Sequence, residues 1–158
     1  MSHIDQLVQV TKDYLDSQNW HYQTEQPNEN TFIFNMNMSM KNKLSSCRLI
    51  VAVNNNTIQS LAICPLKATE DVYGPVVEYL TRANYGLMIG KFEFDYKDGE
   101  IRYQSALSCV ENVPSMADVE RVVDVSFLMM RRYGDGLMKN LMGIGFPEQD
   151  VKEAEGRA

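Results

Sequence analysis

The strongest pattern along the chain is a period-two alternation at residues 32–40. Phe32, Phe34, Met36, Met38 and Met40 alternate with Ile33, Asn35, Asn37 and Ser39. Such spacing puts an apolar row on one face of a strand and a mostly amide and hydroxyl row on the other. A second alternation follows. Cys47, Leu49, Val51 and Val53 interleave with Arg48, Ile50 and Ala52, so both faces are fairly apolar and the strand reads as more central. Asn54-Asn55-Asn56 is a tight-turn signal, because Asn tolerates left-handed backbone angles. The next strand runs from Thr57 to Cys64, and Pro65 stops it. A short strand is predicted to begin at Trp20-His21-Tyr22-Gln23, before a turn at Gln26-Pro27-Asn28-Glu29-Asn30. Further on, residues 88–95 set Met88, Phe92 and Phe94 against Lys91, Glu93 and Asp95. Lys97-Asp98-Gly99 turns the chain, and Ile101, Tyr103 and Ser105 return opposite Arg102 and Gln104.

Helical spacing occupies the gaps. Ile4, Leu7, Val8, Thr11, Tyr14 and Leu15 form one stripe over residues 4–15, after a Ser2-x-x-Asp5 cap signal. Thr69-Glu70-Asp71 opens a second helix ending near Asn84, with Tyr85-Gly86 closing it. Pro75 fits only a first turn, so regular helix there starts late. Ser115-x-x-Asp118 caps a third segment, in which Met116, Val119, Val123, Phe127, Met130, Tyr133, Leu137 and Leu141 keep register across Gly134-Asp135-Gly136. One helix over about 115–142 is therefore predicted, with a flexible point at the two glycines. Residues 147–155 leave room for a short acidic tail helix. The order is α-β-β-β-β-α-β-β-α: an α+β architecture with an antiparallel sheet flanked by helices, in a single domain over 1–158.

Composition narrows the function. The chain has 158 residues, 15 Lys and Arg against 21 Asp and Glu, and a net charge of -6. That balance disfavours nucleic acid as the main partner, because phosphate binding needs clustered positive charge. No apolar run approaches the ~18 residues of a membrane span. The first residues lack the basic and apolar regions of a signal peptide. A soluble, cytoplasmic protein is expected. Cys47, Cys64 and Cys109 are widely spaced without C-x-x-C, so neither a disulfide framework nor a zinc knuckle is expected, and each reads as a small buried apolar residue.

No catalytic motif is present: G-x-S-x-G, Walker A, strand-linked G-x-G-x-x-G and H-E-x-x-H are all missing. His3 and His21 have no partner assignable from sequence. Asp95, Asp98 and Glu100 surround a turn with the wrong spacing for an EF-hand, so they read as a hydrophilic hairpin tip. No enzyme, cofactor or metal site is expected. The candidates concern partners instead. Met36, Met38 and Met40 line one strand face; core packing of sheet on helix explains most of this, and the remainder counts because soft Met surfaces suit varied apolar segments. Ile50, Leu61 and Ile63 leave apolar area on the sheet's second face, suited to a partner or a second copy. Arg131-Arg132 is the only adjacent basic pair, and exposed Arg anchors interfaces.

The stretch Asn84 to Asp95, with Gly90-Lys91-Phe92 and Asp95, followed by Asp98-Gly99-Glu100-Ile101-Arg102-Tyr103, resembles the bacterial YbjN-like family. The long helix with Arg131-Arg132-Tyr133 and the Pro147-Glu148 start of a tail helix are also similar. The resemblance implies a fold like that of type III secretion chaperones, often dimeric, which bind extended client segments. The family carries the label of sensory-transduction regulators and no catalytic residues. The expected function is a non-catalytic protein-binding module, chaperone-like or regulatory, acting on a protein partner or client segment and forming a homodimer. The alternatives are a small-ligand or calcium-binding sensor and, behind it, a small enzyme with an unrecognised site.

Overall fold

The strand alternations combine into one six-stranded antiparallel sheet, here described from a computed structural model over residues 1–157. The elements are α1 (His3–Ser17), β1 (Gln23–Asn28), β2 (Thr31–Ser39), β3 (Ser46–Asn54), β4 (Thr57–Ile63), a 3₁₀ turn (Glu70–Val72), α2 (Tyr73–Asn84), β5 (Lys91–Phe94), β6 (Ile101–Ser108), α3 (Met116–Leu141) and α4 (Pro147–Ala154). The strand order is β1-β2-β3-β4-β6-β5. The expected α+β class therefore holds. Among the described residues, no helix is long and apolar enough to cross a membrane.

All the core lies on one side of this sheet. Phe34, Met36, Leu49, Val51, Val53, Ile58, Ala62, Ile101 and Tyr103 point into it and are buried. Helices α1, α2 and α3 cover them. α3 lies closest, because the sheet beneath it carries small side chains at Ser60, Ala62 and Ser105. Ser60 and Ser126 share a hydrogen bond at 2.8 Å. The Ser105 hydroxyl donates to the Val122 carbonyl. These hydroxyls would be costly to bury unpaired, so each fixes the helix at one height over the strands.

Both long helix starts use the same local device. Asp5 N donates to Ser2 Oγ at 3.2 Å while Ser2 N donates to Asp5 Oδ2. Ser115 and Asp118 repeat the exchange at the start of α3. Each box satisfies two amides that a helix N-terminus leaves without partners. Thr69 does not act as a cap: its hydroxyl bonds Asp71, and regular helix begins at Tyr73, two residues before Pro75.

Three local expectations change. The first strand starts at Gln23 rather than Trp20. Trp20 instead stands edge-on between Tyr14 at 5.9 Å and Phe127 at 5.5 Å, and burying that ring between α1 and α3 outweighs extending the strand. The strand also runs through Gln26-Pro27-Asn28, leaving only Glu29-Asn30 for the turn. β5 starts at Lys91, not residue 88. Gly90 precedes it with φ +76°, and a Cβ there would lie 2.3 Å from the Gln104 carbonyl oxygen. Asn84 then serves the free edge of β5, accepting from Phe92 N at 2.7 Å and donating to Phe92 O at 3.0 Å.

The third change concerns Gly134-Asp135-Gly136. α3 is one 26-residue helix through this point, and the glycines are contact sites rather than a hinge. A Cβ on Gly134 would lie 2.2 Å from Asn42 Nδ2, and one on Gly136 would lie 2.5 Å from Tyr79 Oη. Asn42 Nδ2 caps the Arg131 carbonyl at 2.8 Å, and Tyr79 Oη donates to the Tyr133 carbonyl at 2.6 Å. The missing side chains let the β2–β3 connection and α2 reach the α3 backbone. α4 then packs across α2 and α3. Buried Asp150 accepts from Asn140 Nδ2 at 3.0 Å and Phe146 N at 2.7 Å, and Lys139 lies 3.7 Å away.

Two outcomes follow from this packing. Gly136→Ala should destabilise the chain by about 1–3 kcal/mol in urea unfolding, because the overpacking against Tyr79 exceeds the gain in helix propensity. Gly74→Ala, with open space around it, should be neutral or stabilising by roughly 0.5 kcal/mol; equal losses at both positions would refute the contact reading. The second outcome concerns Tyr14, whose hydroxyl donates to Asp124 across the α1–α3 contact. Burial raises the Asp124 carboxyl above its usual range, the Tyr14 bond pulls it back, and nearby Glu120 raises it further. Tyr14→Phe should cost about 1 kcal/mol at neutral pH, a low value for a bond to a charged group because Asp124 keeps some solvent. The Tyr14 bond favours the ionised carboxylate, so this loss should shrink as pH falls through the raised Asp124 pKa. A loss unchanged with pH would assign the effect to packing alone.

Candidate open sheet face

Strand pleating sends every second residue away from the helices, and nothing among the described residues covers that side. Its residues can be read from the register. β2 contributes Ile33, Asn35 and Asn37, and β3 contributes Arg48, Ile50 and Ala52. Ile50 opposes Leu61 and Arg48 opposes Ile63 on β4. Leu61 opposes Gln104 and Ile63 opposes Arg102 on β6. Glu93 and Lys91 on β5 complete the rows. The result is an oblique apolar stripe, Ile33–Ile50–Leu61–Ile63, with polar side chains on both flanks. The four stripe residues are only partly buried, shielded by their neighbours alone.

The flanks carry defined contacts. Arg102 Nε donates to Glu93 Oε1 at 2.9 Å, and Lys91 lies 4.0 Å from Glu93. Arg48 Nε donates to Asn35 Oδ1 at 3.1 Å, and no ion pair to Arg48 is found among the described residues. The face thus sets Arg48, Arg102 and Lys91 against Glu93 and, at the β1 edge, Glu25. Asp95 and Glu100 join Glu93 and Arg102 around a depression at the β5–β6 end, so the face carries charges of both signs. A shallow depression of about 540 Å³ lies where His21, Gln23, Asn35, Asn37 and Arg48 meet at the stripe's margin.

The sequence candidates separate on this geometry. Ile50, Leu61 and Ile63 come together on the open face. Met36, Met38 and Met40 do not join them. They are 5%, 9% and 0% exposed, packed between the sheet and the helices, so they are core and present no surface to a partner. The same alternation that makes the strand apolar on one side places them inward. Arg131 and Arg132 also diverge. Arg131 Nη2 donates to Ser39 O at 2.8 Å and its guanidinium lies over Phe127. Arg132 Nε donates to Ala154 O at 3.2 Å and its guanidinium lies over Tyr133. One ties α3 to the end of β2 and the other ties it to α4, so they form no joint anion site.

Sequence reading missed Ile33, Arg48, Arg102 and Glu93 as parts of this face. Their strand alternation was visible, but the pairing that aligns them was not. The hairpin acids are engaged locally. Asp95 Oδ1 accepts from Lys97 N at 2.8 Å, and Asp98 accepts from Glu100 N at 3.0 Å and from Lys67 Nζ at 2.8 Å. That is the hairpin-tip role. Other exposed apolar side chains lie mostly in loops, among them Tyr85 and Met88 after α2 and Met142, Ile144 and Phe146 between α3 and α4, while Met116 and Leu128 are exposed on α3.

Comparison with known proteins bears on this arrangement. No family model matches the chain, and no curated protein sequence matches it. Among solved structures it is similar to the crystal structure of YbjN from E. coli, described as a candidate transcription regulator, with a TM-score of 0.58 at 15% sequence identity. The match covers 86% of this chain and 92% of that one. At that identity the likeness concerns the backbone, and the fold of this chain is YbjN-like.

Proposed function

We propose that the protein is a non-catalytic binding module, regulatory or chaperone-like, that engages a protein segment through the open face of its sheet. One observation carries the reading: an uncovered apolar stripe, Ile33–Ile50–Leu61–Ile63, crosses the middle of a sheet whose other side is packed under helices from β2 to β6. Isolated apolar residues on a surface need no explanation, but a contiguous stripe rimmed by polar groups marks an interaction surface. Arg48, which makes no ion pair among the described residues, favours a partner segment that is apolar with an acidic neighbour. Charge complementarity of this kind steers and orients association. A regulatory role agrees with the description of the structurally similar YbjN. The chaperone-like and homodimeric expectations rest on the family resemblance, with cytoplasmic location as the matching setting.

The test is a pair of variants. Ile50→Lys combined with Leu61→Lys puts two charges in the stripe without touching the core. Leu128→Lys alters an exposed position of α3 on the opposite side. Both should keep the native circular dichroism spectrum. Partners held near stoichiometrically by the natural chain should be weakened about tenfold or more by the stripe variant, a loss of about 1.4 kcal/mol or more, and retained by Leu128→Lys. Equal retention by both would place binding elsewhere. Light scattering at rising protein concentration distinguishes a second copy from a different partner.

A further inference from the structure

The helix-covered face of the sheet brings together two thiols at the open end of the β3–β4 hairpin. The β3–β4 register runs Ile50↔Leu61, Leu49↔Ala62 and Arg48↔Ile63. One further step along the same ladder sets Cys47 opposite Cys64, the residue that follows β4. Both side chains point to the core side and are buried. The Cys64 amide donates to the Ile101 carbonyl at 2.9 Å, so its backbone groups point toward β6 and away from β3. An antiparallel residue directs its N–H and C=O to the same neighbour. Cys47 and Cys64 are therefore a non-hydrogen-bonded pair, the kind whose side chains approach most closely. The Cα separation of such a pair is about 4.5 Å, inside the roughly 4.4–6.8 Å that disulfides span. The thiols also sense each other, since charge on Cys64 opposes ionisation of Cys47.

The geometry points to Cys47 and Cys64 as a reversible thiol–disulfide site, oxidised by small disulfides of the glutathione class. The thiolate of one cysteine attacks a sulfur of the oxidant and expels one glutathione thiolate, which takes up a proton. The second cysteine, as thiolate, then attacks the mixed disulfide and expels the other. Two cysteine S–H bonds and one glutathione S–S bond are lost; one Cys47–Cys64 bond and two glutathione S–H bonds are gained. The cysteines are oxidised and the glutathione disulfide is reduced.

Burial sets the rate. It pushes the Cys47 thiol up to about 12 and the Cys64 thiol up to about 11, with the Arg131 guanidinium opposing the rise at Cys47. Thiolate is scarce at neutral pH, so exchange proceeds when the strand ends open. The pair is placed for that. Exposed Ser45 and Ser46 precede Cys47, and exposed Pro65 and Leu66 follow Cys64. The third thiol is an internal control. Cys109 sits at the other end of the sheet, where its amide donates to the Asn56 carbonyl. The link would clamp β3 to β4 directly beside Arg48 and Ile63 of the open face, but its detection does not depend on what that face binds.

The test starts from the reduced, unfolded chain, which removes the kinetic barrier of burial. The chain is refolded in buffers of stepped reduced-to-oxidised glutathione ratio, remaining thiols are alkylated after denaturation, and peptides are analysed by mass spectrometry. The expected result is a Cys47–Cys64 linkage with two hydrogens lost, Cys109 alkylated, a native circular dichroism spectrum and a melting temperature raised by several degrees. The rise follows from closing a loop in the unfolded chain. Cys109→Ala should keep the linkage and Cys64→Ala should abolish it. Refolding to the native spectrum with three free thiols across the series would overturn the proposal. So would linkage of Cys109 as often as the other two, or a linked chain that melts lower than the reduced one.

Discussion

The close approach of α3 to the middle of the sheet is the constraint on which the other elements depend. Ser60 and Ser105 are small enough to admit the helix, and polar enough to need Ser126 and the Val122 carbonyl as partners. Larger side chains there would lift α3 off the strands. The helix would then lose its contact with the β2–β3 connection at Gly134 and with α2 at Gly136. Small-residue contacts of this kind are directional. They fix a height and a rotation, whereas apolar packing alone tolerates many arrangements of similar volume. α1, α2 and α4 then settle against a helix whose position is already set. Tyr14 reaches Asp124, Tyr79 reaches the Tyr133 carbonyl, and Asn140 reaches Asp150.

Placing all helices on one side leaves the sheet two-faced. The covered face is dense, with its hydroxyls hydrogen-bonded. The other face consists of side chains that meet only their cross-strand neighbours. β3 and β4 are central strands, and Ile50, Leu61 and Ile63 sit where central strands pair. Apolar side chains there favour sheet formation, yet without a second layer they remain partly exposed. The stripe thus serves the sheet and offers a surface at once. Its flanks temper it: Arg48, Arg102, Glu93 and the amides make a wet rim that suits selective contact more than indiscriminate aggregation. The edges are managed separately, with Pro27 and a register shift in β1 and with Asn84 bonding to Phe92 in β5.

Much of the local structure was legible because it depends on near neighbours. Ser2 with Asp5 and Ser115 with Asp118 mark helix starts in three residues. The alternation at 32–40 marks β2, and unbroken register across residues 130–141 marks a single α3. What failed was decided at a distance. Trp20 reads as strand but is claimed by Tyr14 and Phe127. Met88 continues an apolar alternation, yet Gly90 and the Gln104 carbonyl delay the strand. Met36, Met38 and Met40 read mainly as core with a smaller share left to a binding surface, and the covering helices place them in the core. Gly134 and Gly136 look like weakness in a helix and prove to be contact points. Of the candidate site, the sequence identified Ile50, Leu61 and Ile63 from the second face of two strands. It did not identify Arg48 and Arg102 beside them, because only strand pairing makes residues from three strands neighbours.

The sequence by itself determined which segments are helix or strand, where two helices begin, and which face of each strand is apolar, because these follow from periods of 3.6 and two and from caps within one turn. It also determined the α+β class and a net charge of -6. The tertiary structure alone decided that β6 inserts beside β4 with β5 outside it, and that every helix lies on the same side. It likewise decided that Cys47 faces Cys64 and that the stripe stays open. Those outcomes depend on which strand pairs with which, and on how closely a helix can approach a sheet. Both are set by shape and hydrogen-bond satisfaction between residues on different elements, and no local periodicity records them.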